Sequence, residues 1–162
     1  DHTKSSIAFS GVHAGNNFEG KFETWGAKIE FDPNKLETSK IEVTIDTASA
    51  KTGNKMYDGT LPTEDWFDVK KYPQAKYTSS AIVKNADGSY NAQGTLTIRE
   101  SSQPVALNFS LTPVDLSAPE VQTNFTLTLD RLAFGIGQKS DAKAEWVDRE
   151  IKLEVKLDAK RS

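Results

Sequence analysis

Hydrophobic and polar residues alternate along most of the chain, and this period of two is the sequence signal of β-strands. The clearest run covers residues 90–98, whose apolar side is formed by Tyr90, Ala92, Gly94, Leu96 and Ile98. The same alternation predicts seven further strands, within residues 5–13, 18–32, 41–46, 77–83, 105–111, 121–129 and 151–157. Eight strands that each have one apolar and one polar face indicate an antiparallel sheet.

The second of these strands, from Phe18 to Asp32, changes sides partway along. Its apolar residues lie at even positions as far as Phe22 and at odd positions from Trp25 onward. Because a slip of one residue turns every later side chain to the other face, the sequence predicts a β-bulge near Glu23 and Thr24. A bulge of this kind bends a strand in the way that a barrel requires.

The apolar side of the predicted sheet needs cover, and the sequence contains no amphipathic helix long enough to provide it. Closing the sheet on itself covers that side and removes the exposed edges. The sequence therefore favours an all-β fold with an eight-stranded antiparallel barrel, and a two-sheet sandwich is the alternative. At 162 residues, the chain is predicted to form a single domain over 1–162.

One long stretch, from Thr52 to Pro73, breaks the alternation. Thr63 is a residue type that caps helices, and Glu64 and Asp65 suit the positive end of a helix dipole. The stretch predicts one or two helical turns that act as a lid on the β-structure. The apolar residues of this segment are Met56, Leu61, Trp66 and Phe67.

The interior of such a barrel can be solid or hollow. Small residues recur along the predicted apolar faces, among them Gly11, Gly20, Ala27, Ser79, Ala81, Ala92 and Gly94. If they leave space, the space has an almost uncharged wall and favours a long hydrocarbon guest. If they only allow strongly coiled strands to bend, the interior is solid. The pattern alone leaves both readings open.

Composition removes several classes of function. The chain has a net charge of −3, and without a clustered basic surface this argues against nucleic-acid binding. It has no cysteine and only two histidines, His2 and His13, so thiolate sites are excluded and an imidazole metal site is disfavoured. No apolar run approaches the roughly 18 residues of a membrane span.

Several motifs in order resemble the signature of the YceI-like, polyisoprenoid-binding family. Two residues depart from the family pattern, since Tyr57 stands where the family has Arg and Thr60 where it has His. A second match, Arg131-x-x-Phe134-Gly135-Ile136-Gly137, follows later in the chain. The matching positions in the central stretch are Thr52, Asn54, Asp58, Leu61, Phe67, Asp68, Val69, Lys71, Tyr72 and Pro73.

The resemblance implies a lipocalin-like barrel, to which the sequence pattern adds the short helical lid segment. It implies non-enzymatic binding of a long polyisoprenoid lipid, ubiquinone-like or a polyprenyl phosphate, for storage, transport or electron-carrier delivery. It also implies a periplasmic or secreted location and a bound polyisoprenoid such as ubiquinone rather than a catalytic cofactor. A homodimer and a place within a larger secreted protein are left open.

Together, the pattern and the resemblance nominate the residues of a site. The head-group candidates are His13, Asn54, Asp58 and Arg131. His13 is alternatively a rim histidine, and for Arg131 we favour a structural ion pair with Asp58 that ties the lid to the barrel. The residues expected to contact the lipid tail are Phe9, Phe18, Phe22, Trp25, Ile45, Met56, Leu61, Trp66, Phe67, Tyr77, Leu96, Phe109, Phe125, Leu127 and Phe134.

Two other functions compete with lipid binding. An enzyme acting on a hydrophobic substrate would need a nucleophile and a base at suitable spacing, and Ser10 has the opposite strand parity to His13. A purely structural module of a larger secreted protein would have a solid core.

Overall fold

The computed structural model describes residues 5–32, 34–111, 120–141 and 143–160. His2 and the predicted end of the domain at residues 161–162 lie outside these ranges. The described helices are α1 (Lys55–Thr60) and three short 3-10 helices, at Leu36–Thr38, Thr47–Ser49 and Arg131–Phe134. The described strands are β1 (Ser6–His13), β2 (Asn16–Phe22), β3 (Trp25–Glu30), β4 (Lys40–Asp46), β5 (Ala50–Lys51), β6 (Gln74–Lys84), β7 (Tyr90–Ile98), β8 (Ser101–Phe109), β9 (Glu120–Asp130) and β10 (Glu150–Lys160).

The strands form two antiparallel sheets of five, in the orders β5-β2-β1-β10-β9 and β3-β4-β6-β7-β8. The all-β, antiparallel class is therefore confirmed. The closed barrel of eight strands is not, because no ladder joins the two sheets anywhere in the described ranges. The apolar faces cover each other instead, and the larger core cluster combines Tyr77 and Leu107 of one sheet with Leu129 of the other. Facing sheets satisfy the same need for cover as closure does.

The predicted single strand from Phe18 to Asp32 is two strands in different sheets. The change of parity lies where predicted, at Glu23 and Thr24, but it marks a corner at which the chain passes from β2 to β3. Backbone hydrogen bonds hold this corner, from Glu23 N to Ser49 O (3.1 Å) and from Asp46 N to Thr24 O (3.0 Å). After β4 the chain comes back to this corner and β5 pairs with the end of β2, so the two sheets are tied together at this edge.

A second shift of parity, which the sequence analysis missed, lies in β6. The register of β6 against β7 shifts between Ser79 and Ala81. As a result Ile82 is buried, whereas Val83 is 51% exposed and Ala81 also faces solvent. The alternation placed Ala81, and with it Val83 two residues later, on the apolar face. That prediction was wrong, because one extra residue in a strand reverses the faces beyond it.

The helical lid begins earlier than predicted. Asn54, not Thr63, caps it, because the Asn54 side chain accepts hydrogen bonds from the amides of Met56 and Tyr57. The Thr63 hydroxyl donates to the Thr60 carbonyl, and the residues around it form turns. No described helix combines the length and hydropathy that crossing a bilayer demands.

Glycines on the inner faces do not leave space, contrary to one of the two readings of the sequence. A Cβ at Gly20 would collide with the ring of Phe9, and one at Gly94 would lie 2.6 Å from the Tyr77 hydroxyl. At Gly11, the ring of Phe18 occupies the equivalent position. Aromatic rings fill the space above these glycines, so the small residues allow dense packing.

Tyr77 should make the fold sensitive to alkaline pH. Burial raises the pKa of its phenol to about 12, from 10.0. The unfolded chain then loses this proton first, so the free energy of unfolding should fall as pH rises from about 10 to about 12. Urea unfolding between pH 9 and 12 measures the slope, which should be shallower in Tyr77→Phe than in the native protein. Equal slopes in the two proteins would contradict the assignment.

Candidate functional site

A cavity of about 90 Å³ lies between the two sheets. A single water molecule needs roughly 10–15 Å³ of such space, so the cavity is large enough for a guest. The surface that it offers is entirely apolar, and an apolar space favours an apolar occupant over water. The lining residues are Phe9, Phe18, Phe22, Ile45, Thr47, Leu61, Trp66, Phe67, Ala75, Leu96, Ile98, Leu129, Arg131, Phe134, Ile136, Val147, Ile151 and Leu153.

Strand alternation accounts for most of this wall. Phe9 of β1 lies opposite Leu153 of β10, and both side chains point inward. On the other sheet, Ile45 of β4 lies opposite Ala75 of β6. Because every second residue of a strand faces the same side, each such strand supplies one or two apolar side chains to the cavity.

The segment after α1 covers one side of the cavity with Leu61, Trp66 and Phe67. It is fastened to the stretch after β9 through Asp65, which accepts hydrogen bonds from the amides of Lys139 (2.9 Å) and Ser140 (2.8 Å) and from the Ser140 hydroxyl. Burial raises the pKa of Asp65, but these hydrogen bonds outweigh it and hold the pKa below its usual value. The Asp65 carboxylate therefore joins the covering segment to the stretch after β9. It does not begin a helix, as had been predicted.

Arg131 is the most deeply buried charge in the described structure, with 2% of its surface exposed. Its partner is Asp141, at 2.9 Å from Nη2 to Oδ2. All three guanidinium nitrogens donate, and the other acceptors are the carbonyls of residues 136, 141, 147 and 148. The guanidinium also lies 5.5 Å from the ring centroid of Trp66, so it packs against another residue of the cavity wall.

The predicted ion pair between Arg131 and Asp58 is therefore wrong. The Asp58 carboxylate instead accepts from the Thr52 amide (2.8 Å) and the Thr52 hydroxyl (2.7 Å). These hydrogen bonds, the hydroxyl's first, lower the pKa of Asp58. Asp58 thus stabilises the loop that leads into α1, whereas Arg131 stabilises a different loop, the one after β9.

The tail-contact residues proposed from the sequence divide into two groups. Trp25, Met56, Tyr77, Phe109, Phe125 and Leu127 lie away from the cavity: Tyr77 and Phe109 are core residues, Phe125 and Leu127 pack against that core, Trp25 packs against the smaller cluster, and Met56 is 59% exposed. The nine that line the cavity are Phe9, Phe18, Phe22, Ile45, Leu61, Trp66, Phe67, Leu96 and Phe134.

Sequence reasoning missed several members of the wall. Ile98, Leu129, Ile151 and Leu153 had the apolar parity of predicted strands, and that signal could have included them. Val147 lies in an irregular stretch and carried no such signal. The remaining omissions are Thr47, Ala75 and Ile136.

Three of the four head-group candidates have roles within the fold. Asn54 caps α1, Asp58 binds Thr52, and Arg131 is enclosed by its own partners. The fourth, His13, is half-buried, and its Nδ1 lies 2.8 Å from the hydroxyl of Tyr57. The site thus has an apolar interior and a histidine–tyrosine pair beside it.

Two comparisons of sequence identify relatives. The profile of the family described as the YceI-like domain matches residues 1–159. A UPF0312 protein of Pseudomonas savastanoi pv. phaseolicola is 33% identical over 102 residues, which cover 62% of this chain and 53% of that protein. The match thus spans about half the length of such curated relatives.

Solved structures share the fold. BcnA of Burkholderia cenocepacia has a TM-score of 0.90 at 31% identity, covering 98% of each chain. A polyisoprenoid-binding domain from Saccharophagus degradans, implicated in plant cell wall breakdown, has a TM-score of 0.75 at 14% identity, covering 100% of this chain and 97% of that one. At that identity the second likeness concerns the fold alone.

Proposed function

The chain belongs to the YceI-like family, and from that premise we propose that it is a non-enzymatic binding protein for a long isoprenoid lipid. The hydrocarbon tail would lie in the cavity between the sheets, and the head group would lie at its border. Such a protein stores or transports the lipid, or delivers an electron carrier, and we propose a periplasmic or secreted location for it.

The observation that carries this proposal is the wholly apolar surface of the cavity. Its two polar lining residues are both engaged elsewhere, since Thr47 donates to the carbonyls of Tyr72 and Pro73 and Arg131 donates to its enclosing loop. Burying a hydrocarbon there contributes about 0.8 kcal/mol for each methylene-sized group. A tail of several isoprene units therefore has enough driving force to offset the cost of ordering it.

A long tail needs more room than 90 Å³. The segment 61–67 is the part that we expect to move, because it covers the cavity and is fastened through Asp65 to a neighbouring loop. Of the two head groups that the family resemblance implies, we propose the ubiquinone-like one over a polyprenyl phosphate. The chain is acidic overall, and the guanidinium nearest the cavity already has its partners.

Organic extraction of the purified protein, followed by mass spectrometry, should yield a prenyl lipid. Added short-tailed ubiquinone should also quench tryptophan emission, because Trp66 lines the cavity whereas Trp146 is 62% exposed. Trp66→Phe should lose most of this quenching, and the matched variant Trp146→Phe should keep it. If the purified protein yields no prenyl lipid and the native protein shows no quenching, the proposed function is refuted.

A further inference from the structure

The His13–Tyr57 pair lies at the border of the cavity. Phe18 lines the cavity, and its ring centroid is 5.5 Å from that of Tyr57. Val147 also lines the cavity, and its backbone forms an isolated β-bridge with His13. The two rings of the pair meet edge to face at 5.3 Å, with the 2.8 Å hydrogen bond between them. A head group leaving the apolar interior on this side would meet the pair.

The hydrogen bond within the pair leaves one donor free in either tautomer of a neutral imidazole. If the Tyr57 hydroxyl donates to Nδ1 of His13, the proton on Nε2 is available to a ligand. If Nδ1 donates to the hydroxyl oxygen, the hydroxyl proton is available instead. The pair therefore offers one hydrogen-bond donor and no fixed positive charge, and an uncharged carbonyl oxygen is the acceptor that matches it.

A phosphate matches the pair poorly. A phosphate is bound in proteins by charged donors, arginine above all, because charge-assisted hydrogen bonds are about twice as strong as neutral ones. The residue after Tyr57 in α1 is Asp58, whose lowered pKa keeps it ionised. The guanidinium of Arg131 is buried, and its nitrogens already donate to Asp141 and to backbone carbonyls.

We propose that the His13–Tyr57 pair binds the carbonyl oxygen of the lipid head group and selects an uncharged quinone-type head over a phosphate. This inference rests on the proposed function, because it needs a prenyl tail in the cavity. His13 and Tyr57 are then specificity-determining residues, and Tyr57 is the position whose side chain sets the charge that the site accepts.

The test measures three affinities by titration calorimetry, for a short-tailed ubiquinone, farnesyl phosphate and farnesene, a hydrocarbon of similar tail length without a head. In the double variant His13→Phe, Tyr57→Phe, the preference for the quinone over farnesene should fall about fivefold, the factor that one uncharged hydrogen bond supplies. Farnesene affinity itself should stay unchanged, which shows that the cavity is intact. Tyr72→Phe, which removes a hydroxyl bonded to Glu100, is the matched control and should change neither value.

The second part of the test is a variant that should gain affinity for a phosphate. Tyr57→Arg should raise the affinity for farnesyl phosphate relative to farnesene by roughly tenfold or more, because it adds a charged donor at the border. An unchanged quinone preference in the double variant would overturn the inference. Equal binding of quinone and farnesene by the native protein would overturn it too but leave the proposed function standing. Failure of all three ligands to bind would overturn both.

Discussion

Replacing Arg131 with methionine should lower the free energy of unfolding by about 3–5 kcal/mol, the usual cost of breaking a buried ion pair by removing one partner. The variant leaves the Asp141 carboxylate buried, and it removes the donors that hold the carbonyls of Ile136, Val147 and Asp148. A loss of this size is a large part of the roughly 5–15 kcal/mol that stabilises a typical domain. Urea unfolding followed by tryptophan emission measures it.

Arg149→Met is the matched control. Arg149 also pairs with an aspartate, Asp130 at 2.6 Å, but its side chain is 61% exposed, so water screens the pair. The same substitution there should change the midpoint of unfolding far less. If Arg131→Met does not fold, Arg131→Lys supplies the measurement, because lysine keeps the charge but loses the planar fork that reaches several carbonyls. Equal effects at Arg131 and Arg149 would show that burial does not govern this pair.

Local alternation predicted the strands, and β7 shows why. All five residues assigned to its inner face are buried, because a central strand with covered neighbours keeps one parity from end to end. Sheet membership could not be predicted in the same way. The slip at Glu23 and Thr24 was visible in the sequence, but a bulge within one sheet and a corner between two sheets produce the same slip. Only the partners of β2 and β3 distinguish them, and those partners are distant in sequence.

The small residues left open whether the interior is hollow or solid, and the structure does not support the reading in which they leave space. The rings of Phe9 and Tyr77 occupy the places beside Gly20 and Gly94. The space lies elsewhere, where side chains of both sheets and of the covering segment converge without meeting. A single strand's sequence carries no information about that gap, because the gap depends on how far apart the two sheets are held.

The partner of Arg131 shows the same limit. Asp58 and Asp141 are both acidic residues outside the alternating strands, and the sequence offers no rule that prefers one. Three backbone amides, of Glu145, Trp146 and Val147, converge on the Asp141 carboxylate and fix it beside the guanidinium. This convergence is produced by the turn after Asp141 and has no counterpart in a repeating pattern.

Filling the cavity should abolish lipid binding without unfolding the protein, and Ala75 is the position for it. Ala75 is 5% exposed, lies on β6 and lines the cavity opposite Ile45. In Ala75→Phe, the new ring would take space that the lipid tail uses. If it displaces four methylene-sized groups at about 0.8 kcal/mol each, binding weakens by about 3 kcal/mol, a factor of more than about 100 in Kd. Quinone quenching of tryptophan emission measures this Kd.

The matched variant is Ala81→Phe, on the same strand but exposed to solvent, and its affinity should equal that of the native protein. Ala75→Leu should fall between the two, because its smaller side chain leaves part of the space open. Overpacking costs stability by about 1–3 kcal/mol, so unfolding curves must accompany the titrations. A folded Ala75→Phe protein that binds quinone with native affinity would place the lipid outside this cavity, since one volume cannot hold both the ring and the tail.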